Sequence, residues 1–159
     1  MNPQGLVPSL ETDDGTVLTQ SIAIVEWLDE MYPEPRLLPE SVTLRAHARA
    51  FAQAIACDIH PLQNLRVLRY LKKTFGQDQD GLDTWCRHWI TPGLNACEAM
   101  LGRERKGAFA FGDAPGMCSA ERFGVDTTRY PQLHALRARC ETIAAFADAH
   151  LTWQPDFQA

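Results

Sequence analysis

The sequence predicts a mostly α-helical protein in which a small strand-strand-helix unit precedes an all-helical domain. Two short apolar runs flank the turn residues Asp13-Asp14-Gly15, and this pattern predicts a hairpin over residues 1–20. After a proline-rich segment at residues 32–39, apolar side chains recur every three or four positions, as on one face of a helix. We therefore divide the chain into a unit of residues 1–35 and an all-α domain of residues 36–159.

The composition excludes several classes of protein. The 15 lysines and arginines and the 20 acidic residues give a formal net charge of -5, whereas nucleic-acid surfaces need a basic excess to neutralise phosphates. No apolar run approaches the roughly 20 residues that span a bilayer. The opening residues also lack the basic and apolar regions of a secretory signal. We expect a cytoplasmic protein that binds neither nucleic acid nor membrane.

The five cysteines give no sign of a metal site or a disulfide framework. Their number is odd, and no two of them have the C-x-x-C spacing. Cysteines of this kind in helices are typically buried free thiols. We expect that state for all five: Cys57, Cys86, Cys97, Cys118 and Cys140.

Two polar residues, Gln20 and Ser21, stand at the start of the first predicted helix, which covers residues 22–32. Unpaired N–H groups in a first helical turn and the positive end of the helix dipole attract carboxylates and phosphates. Ser21 adds a hydroxyl to such a site and Gln20 an amide. From the spacing alone two interpretations stay open, because Ser21 fits a ligand site and also fits a simple helix cap. Val7-Pro8 is open in the same way, since a proline beside a strand typically marks a sheet edge.

Beyond the proline-rich segment, apolar periodicity predicts a series of helices. The first begins near Thr43 and must bend at Pro61, which has no N–H to donate to the carbonyl of Cys57. The break frees backbone groups beside His60 and Asn64, although a histidine such as His60, taken alone, is more often a core or surface residue. Further helices are predicted over residues 62–71, over residues 81–101 and after Pro131, where the apolar positions are Leu133, Leu136, Cys140, Ile143, Ala144 and Phe146.

Six stretches of the sequence match motifs of one family. They are Asn2–Pro8, Gln20–Ile24, Cys57–Leu68, Phe111–Pro115, Ala120–Phe123 and Gln154–Asp156. Together they resemble the zeta class of glutathione transferases, which includes maleylacetoacetate isomerase and bacterial maleylpyruvate isomerase, and the resemblance covers nearly the whole chain. It implies a glutathione transferase fold. In that fold, residues 1–35 are a partial thioredoxin-like glutathione-binding domain and residues 36–159 are the all-α C-terminal domain.

The resemblance also implies roles for individual residues. In such proteins the Val7-Pro8 bond is cis, the backbone of Val7 pairs with the cysteinyl unit of glutathione, and Gln20 and Ser21 match the pair that holds its γ-glutamyl end. The helix break supplies the cleft residues His60, Asn64, Leu65 and Arg66. Arg122 resembles the arginine that receives a carboxylate of the diacid substrate, which suits a bidentate guanidinium. An exposed helical arginine is the alternative interpretation of Arg122.

The implied activity is a glutathione-dependent cis-trans isomerisation of maleylacetoacetate or maleylpyruvate, in aromatic amino-acid or aromatic-acid catabolism. In this family, glutathione adds to a cis double bond conjugated to carbonyl groups, and its elimination after bond rotation gives the trans isomer. The implied cofactor is therefore glutathione, and the implied partners are a small diacid and a second copy of the chain in a homodimer. No metal is implied.

The sequence departs from the family pattern in two places. The family has a strand, a helix with a Ser-Ser-Cys motif and a second strand before the equivalent of Asn2-Pro3, and this sequence has no counterpart of them. Between Pro115 and Ala120 it has only Gly116-Met117-Cys118-Ser119, where the family has an N-capped core helix. We therefore expect an N-terminally truncated chain with an internal deletion, and we assign no catalytic residue. The alternative function is a catalytically silent binding or dimerisation module.

Overall fold

The computed structural model describes residues 2–34, 36–103 and 124–142, which are mostly α-helical, as predicted. Some residues singled out in the sequence lie outside these ranges: Cys118, Arg122, the motifs Phe111–Pro115, Ala120–Phe123 and Gln154–Asp156, and the predicted helix positions Ile143, Ala144 and Phe146. Within the described ranges, no helix has both the length and the apolarity to cross a membrane. Those ranges also contain no group of three or more His, Cys, Asp or Glu residues arranged to hold a metal ion.

The N-terminal hairpin forms where the sequence predicts it. Strand β1 (Ser9–Glu11) pairs antiparallel with strand β2 (Val17–Thr19). In the turn between them, Oδ1 of Asp14 accepts hydrogen bonds from the Thr12 hydroxyl at 2.5 Å and from the Thr16 N–H at 3.0 Å. These contacts, with the Thr12 hydroxyl as the largest cause, lower the pKa of Asp14. The turn is therefore held by side-chain bonds to the backbone as well as by the strand ladder.

Helix α1 (Ser21–Met31) covers the hairpin and contacts both strands. Its buried residue is Ile24, while the residues of β1 and β2 are exposed or half-buried. The helix ends before Tyr32, which is followed by Pro33, and the chain then runs through the proline-rich linker. The predicted helix over residues 22–32 is confirmed to within one residue at each end.

The next helix is interrupted at Pro61, as predicted. Helix α2 (Val42–Gln53) continues into a π-helical turn (Ala54–Ile59) and a 3-10 turn (His60–Gln63), and α3 (Leu65–Phe75) follows. Because proline has no N–H for the α-helical ladder, a wider and then a tighter turn replace the α-helix around it. The Asn64 side chain then caps α3 by accepting the N–H of Arg66 at 2.9 Å.

Helix α4 (Gln79–Arg103) lies at the centre of the helical domain, and α5 (Pro131–Glu141) packs on it after a 3-10 turn (Thr127–Arg129). The two carboxylate oxygens of Glu98 accept the N–H groups of Gln132 at 2.7 Å and of Leu133 at 3.0 Å. A side chain of α4 thus satisfies the first turn of α5, whose own cap residue makes no such bond.

The core is formed where α2, the π-helical turn, α4 and α5 meet. Its largest fully buried side chains are Phe51, Ile59, Ile90, Leu94, Tyr130, Leu133 and Leu136. A Cβ atom at Gly93 of α4 would lie 2.3 Å from Cγ1 of Ile59, well inside van der Waals contact. Glycine at this position is what lets α4 approach the π-helical turn so closely.

The cysteine prediction holds for three residues and is wrong for one. Cys86, Cys97 and Cys140 are buried cysteines outside any disulfide, and burial, with a smaller contribution from Asp58, raises the pKa of Cys97 to about 11. Cys57 is exposed. Ile59 and, in part, Ile55 take the inward side of the π-helical turn, so Cys57, midway between them, lies on the outward side.

Candidate functional site

The N-terminus of α1 carries the first half of the candidate site. Gln20, the residue before the helix, has φ 72° and ψ 118°, and its side chain makes no capping hydrogen bond. A positive φ is uncommon at a residue other than glycine, and such conformations concentrate at functional sites. Ser21 is the first helical residue and is exposed. The interpretation of Ser21 as a simple cap is wrong, because the cap position belongs to Gln20.

A short ordered loop lies beside this helix end. The Gln20 amide nitrogen donates to Oε1 of Gln4 at 2.9 Å. Asn2 stabilises the loop, because its side-chain amide donates to the Leu6 carbonyl at 2.6 Å and its Oδ1 accepts the Gln4 N–H at 2.9 Å. Gln4 lies in one of the matched motifs, but the sequence predicts no role for it. The loop fixes the orientation of the Gln20 side chain through Gln4.

Val7 follows the same loop and is the most exposed large hydrophobic residue among those that the structure describes, at 92 %. Its bond to Pro8 is cis, as the resemblance implies. Strand β1 begins directly after this bond, at Ser9, and pairs with β2, whose last residue precedes Gln20. The hairpin therefore connects Val7 to the start of α1 through two short strands.

The second half of the candidate site surrounds the helix break. His60 starts the 3-10 turn and is exposed, and Leu65 and Arg66 are exposed in the first turn of α3. Asn64, half-buried, caps that helix and so has its orientation fixed. An imidazole, an amide and a guanidinium thus lie within seven consecutive positions, and π-helical turns of the kind that precede them occur frequently at functional sites.

One hydrogen bond from α4 holds the helix break, and one buried amide lies within it. The indole N–H of Trp85 in α4 donates to the Leu62 carbonyl at 2.7 Å, which fixes the 3-10 turn on the core. Gln63 is only 8 % exposed, and among the described residues neither polar atom of its amide has a hydrogen-bond partner. The sequence predicts neither role, because a glutamine or a tryptophan in a helical pattern does not indicate its partner.

The structure brings the predicted residues together in two groups. Gln20 and Ser21 are adjacent at the start of α1, and His60 to Arg66 are contiguous around the break. Gln4 holds the Gln20 amide, and the break is held by the Asn64 cap of α3 and by the bond from Trp85 to Leu62. The first group offers N–H groups, a hydroxyl and an amide to an anion, and the second offers a cationic guanidinium. Arg122 lies outside the described residues.

Comparisons with known proteins agree with this architecture. A family profile described as the glutathione S-transferase N-terminal domain matches residues 1–31. A maleylpyruvate isomerase from Ralstonia sp is 45% identical over 166 residues, which cover 98% of this chain and 78% of the relative. The chain belongs to the zeta-class glutathione S-transferases, the family of the maleylpyruvate and maleylacetoacetate isomerases.

Solved structures of the family show the same fold. The holo structure of a maleylpyruvate isomerase, described as a bacterial zeta-class glutathione S-transferase, aligns with a TM-score of 0.90 at 45% identity and covers 99% of this chain and 78% of that one. A maleylacetoacetate isomerase from Anaeromyxobacter dehalogenans, with GSH bound in its active site, aligns with a TM-score of 0.84 at 39% identity, covering 98% and 76%. The predicted family and glutathione transferase fold are confirmed.

Proposed function

We propose that this zeta-class protein is a glutathione-dependent cis-trans isomerase that acts on maleylpyruvate or maleylacetoacetate. The names of its relatives favour an enzyme over the alternative, a catalytically silent binding or dimerisation module. The observation that carries the proposal is the start of α1, where Gln20 has a positive φ and Ser21 is exposed. This arrangement leaves the first-turn N–H groups without a bond from the cap side chain and so fits an anionic ligand.

The residues fit glutathione in particular. Its γ-glutamyl end carries a carboxylate, which suits the positive end of the α1 dipole together with the Ser21 hydroxyl and the Gln20 amide. Its central cysteinyl unit has a peptide N–H and C=O, which suit the exposed backbone at Val7. Gln4 holds Gln20 in place through the 2.9 Å hydrogen bond between their amides.

His60, Asn64, Leu65 and Arg66 would line the other side of the cleft. The capping bond fixes Asn64 and thereby the first turn of α3, which carries Leu65 and Arg66. Arg122 would receive a carboxylate of the diacid substrate. Bound glutathione supplies the thiolate that adds reversibly to the cis double bond. None of the residues named here is assigned a catalytic role.

We also propose a division of the chain, an oligomeric state and a location. Residues 1–35 would form the glutathione-binding unit, which the family profile over residues 1–31 supports, and residues 36–159 the all-α domain. A homodimer would cover apolar side chains that α1, the linker and α2 expose: Val25, Met31, Leu37 and Val42. A cytoplasmic location would suit the cytosolic glutathione pool and the free thiols.

The test measures binding and turnover separately. Calorimetry with glutathione should give saturable binding, and maleylpyruvate and maleylacetoacetate should each be assayed with and without glutathione. A glutathione-dependent rate with either diacid supports the enzyme. Binding without turnover in a folded sample supports the silent module, and the absence of binding contradicts both glutathione functions.

A matched pair of variants tests the site itself. Ser21→Ala removes a hydroxyl from the first turn of α1, and we expect the Kd for glutathione to rise about tenfold or more, because hydrogen bonds to charged groups are the stronger ones. Thr43→Ala removes an exposed hydroxyl from the first turn of α2, and its Kd should equal that of the wild type. Equal effects of the two substitutions would exclude a specific role for Ser21.

A further inference from the structure

A groove of about 570 Å³ separates α1 from the linker and α2. We propose that the Glu26–Arg49 ion pair across this groove is a positioning contact that sets the two halves of the glutathione site relative to each other. Glu26 lies on α1, which begins at Ser21, and Arg49 lies on α2, which leads into the turn that carries His60. Because the inference rests on the proposed function, its test is designed to separate the two.

The walls of the groove carry opposite charges. Glu26, Asp29 and Glu30 are spaced i, i+3, i+4 and therefore share one face of α1, and Arg45 and Arg49 are spaced i, i+4 on one face of α2. The linker adds Arg36 to the basic side. All six side chains line the groove: Glu26, Asp29, Glu30, Arg36, Arg45 and Arg49. Of these side chains, Glu26 and Arg49 form an ion pair across the groove.

Direct contacts join the walls. Nε of Arg49 donates to Oε1 of Glu26 at 2.5 Å. Oδ1 of Asp29 accepts the backbone N–H groups of Leu37 and Leu38, the second at 3.3 Å, and so ties the linker back to α1. The ion pair thus joins α2 to α1, and the Asp29 bonds join the linker to α1.

The ion pair acts on orientation more than on stability. Its side chains are 40% and 34% exposed, and exposed ion pairs contribute little to the free energy of unfolding. The buried residue of α1, Ile24, belongs to the N-terminal unit, whereas the core cluster begins at Phe51. An open groove lies between α1 and α2. The orientation of α1 relative to α2 therefore depends less on side-chain packing than on the polar contacts across the groove.

The experiment is a charge-reversal cycle read by glutathione binding. Glu26→Gln and Arg49→Gln should each raise the Kd for glutathione about 3- to 10-fold, within the usual range of coupling between contacting residues. The swapped variant, Glu26→Arg with Arg49→Glu, should recover most of the affinity. In an active enzyme the KM for glutathione should rise while kcat at saturating glutathione changes little, since neither residue is placed at the reacting atoms.

A second ion pair supplies the matched control. Arg137 and Glu141 of α5 form an i, i+4 pair at 2.9 Å with similar exposure, away from the groove. Glu141→Gln should leave the Kd for glutathione unchanged, while its thermal midpoint should shift as little as that of Glu26→Gln.

The outcomes separate the two claims. The positioning role is overturned if the wild type binds glutathione and the Kd is unchanged in Glu26→Gln and Arg49→Gln. It is also overturned if the swapped variant binds no better than the single variants. Either result leaves the proposed function intact. Failure of the wild type to bind glutathione removes the proposed function and the positioning role together. Charge-dependent loss and recovery of affinity, with Glu141→Gln unaffected, supports both.

Discussion

The N-terminal unit and the helical domain differ in what holds them together. Among residues 2–34 the buried side chain is Ile24, and the hairpin relies on hydrogen bonds in its turn and on the cover of α1. In the helical domain, α2, α4 and α5 bury a continuous cluster that includes Phe51, Ile90 and Leu136. Each region carries one half of the proposed site. Local polar contacts thus hold the half that contains Gln20 and Ser21, and a packed core holds the half that contains His60.

This difference predicts where substitutions act. A change in the helical core should lower the free energy of unfolding of the cooperative unit, whereas a change in the hairpin should open that hairpin locally. Glutathione affinity should respond to both regions, because it needs both halves. The expected effects on stability therefore decrease from the helical core to the hairpin turn.

The largest effect is expected from Gly93→Ala in α4. The added Cβ would lie 2.3 Å from Cγ1 of Ile59, so the helix and the π-helical turn must separate. We expect a loss of about 1–3 kcal/mol in the free energy of unfolding, as for other overpacked cores. Denaturant unfolding followed by circular dichroism measures it.

The same helix offers the control. A Cβ atom added at Gly102 would have no neighbouring atom within 4 Å, so Gly102→Ala should stabilise by up to about 1 kcal/mol through helix propensity. Ile59→Ala removes the side-chain atoms that the added Cβ would meet. The double variant, Gly93→Ala with Ile59→Ala, should therefore lose less free energy of unfolding than the two single variants together. Destabilisation by both glycine substitutions to the same extent would contradict the close-approach explanation.

A smaller effect is expected from the thiols. Burial raises the pKa of Cys97 from 9.0 to about 11, so the folded state retains this proton while the unfolded chain loses it. The stabilising contribution is fully present below about pH 9 and is lost as the pH rises through about 11. Thermal melts between pH 8 and 11 should therefore show a fall in stability that Cys97→Ala makes shallower. An unchanged slope in that variant would contradict the assignment.

Labelling by an alkylating reagent sharpens the same contrast. At pH 8, peptide mapping should find Cys57 modified first, because it is exposed, and Cys86, Cys97 and Cys140 modified only on unfolding. Early modification of Cys97 in a folded sample would show that the core opens more readily than its burial indicates.

Sequence reasoning succeeded where a local signal decides the structure. Turn residues at Asp13-Asp14-Gly15 specify the hairpin, and the missing N–H of Pro61 specifies the helix break. Both depend on the backbone chemistry of a few neighbouring residues. The family and the fold followed from motifs spread along the chain, and the comparisons confirm them. The roles of Val7, Gln20 and the other site residues stay predictions.

The features that the sequence does not predict depend on uncommon backbone conformations or on long-range contacts. Ser21 fits the pattern of a cap, but the positive φ of Gln20 moves the cap position back by one residue. Cys57 fits a buried helical face, but the π-helical turn changes the angular phase and turns it outward. The Glu26–Arg49 pair joins residues 23 positions apart, and nothing local indicates that they meet.

The smallest effect is expected from Asp14 in the hairpin turn. Hydrogen bonds from Thr12 and Thr16 lower its pKa below 3.8, so the ionised side chain supports the turn above that pH. The support is lost as the pH falls through the lowered pKa. Asp14→Ala should speed hydrogen exchange of the Thr16 N–H at neutral pH and leave the global melt of the helical domain unchanged. If the substitution instead lowered the global melt, the hairpin would belong to the same cooperative unit as the core. The two regions would then not differ in how they unfold, and loss of Asp14 would destabilise the half of the site on the helical domain as well as the half on the N-terminal unit.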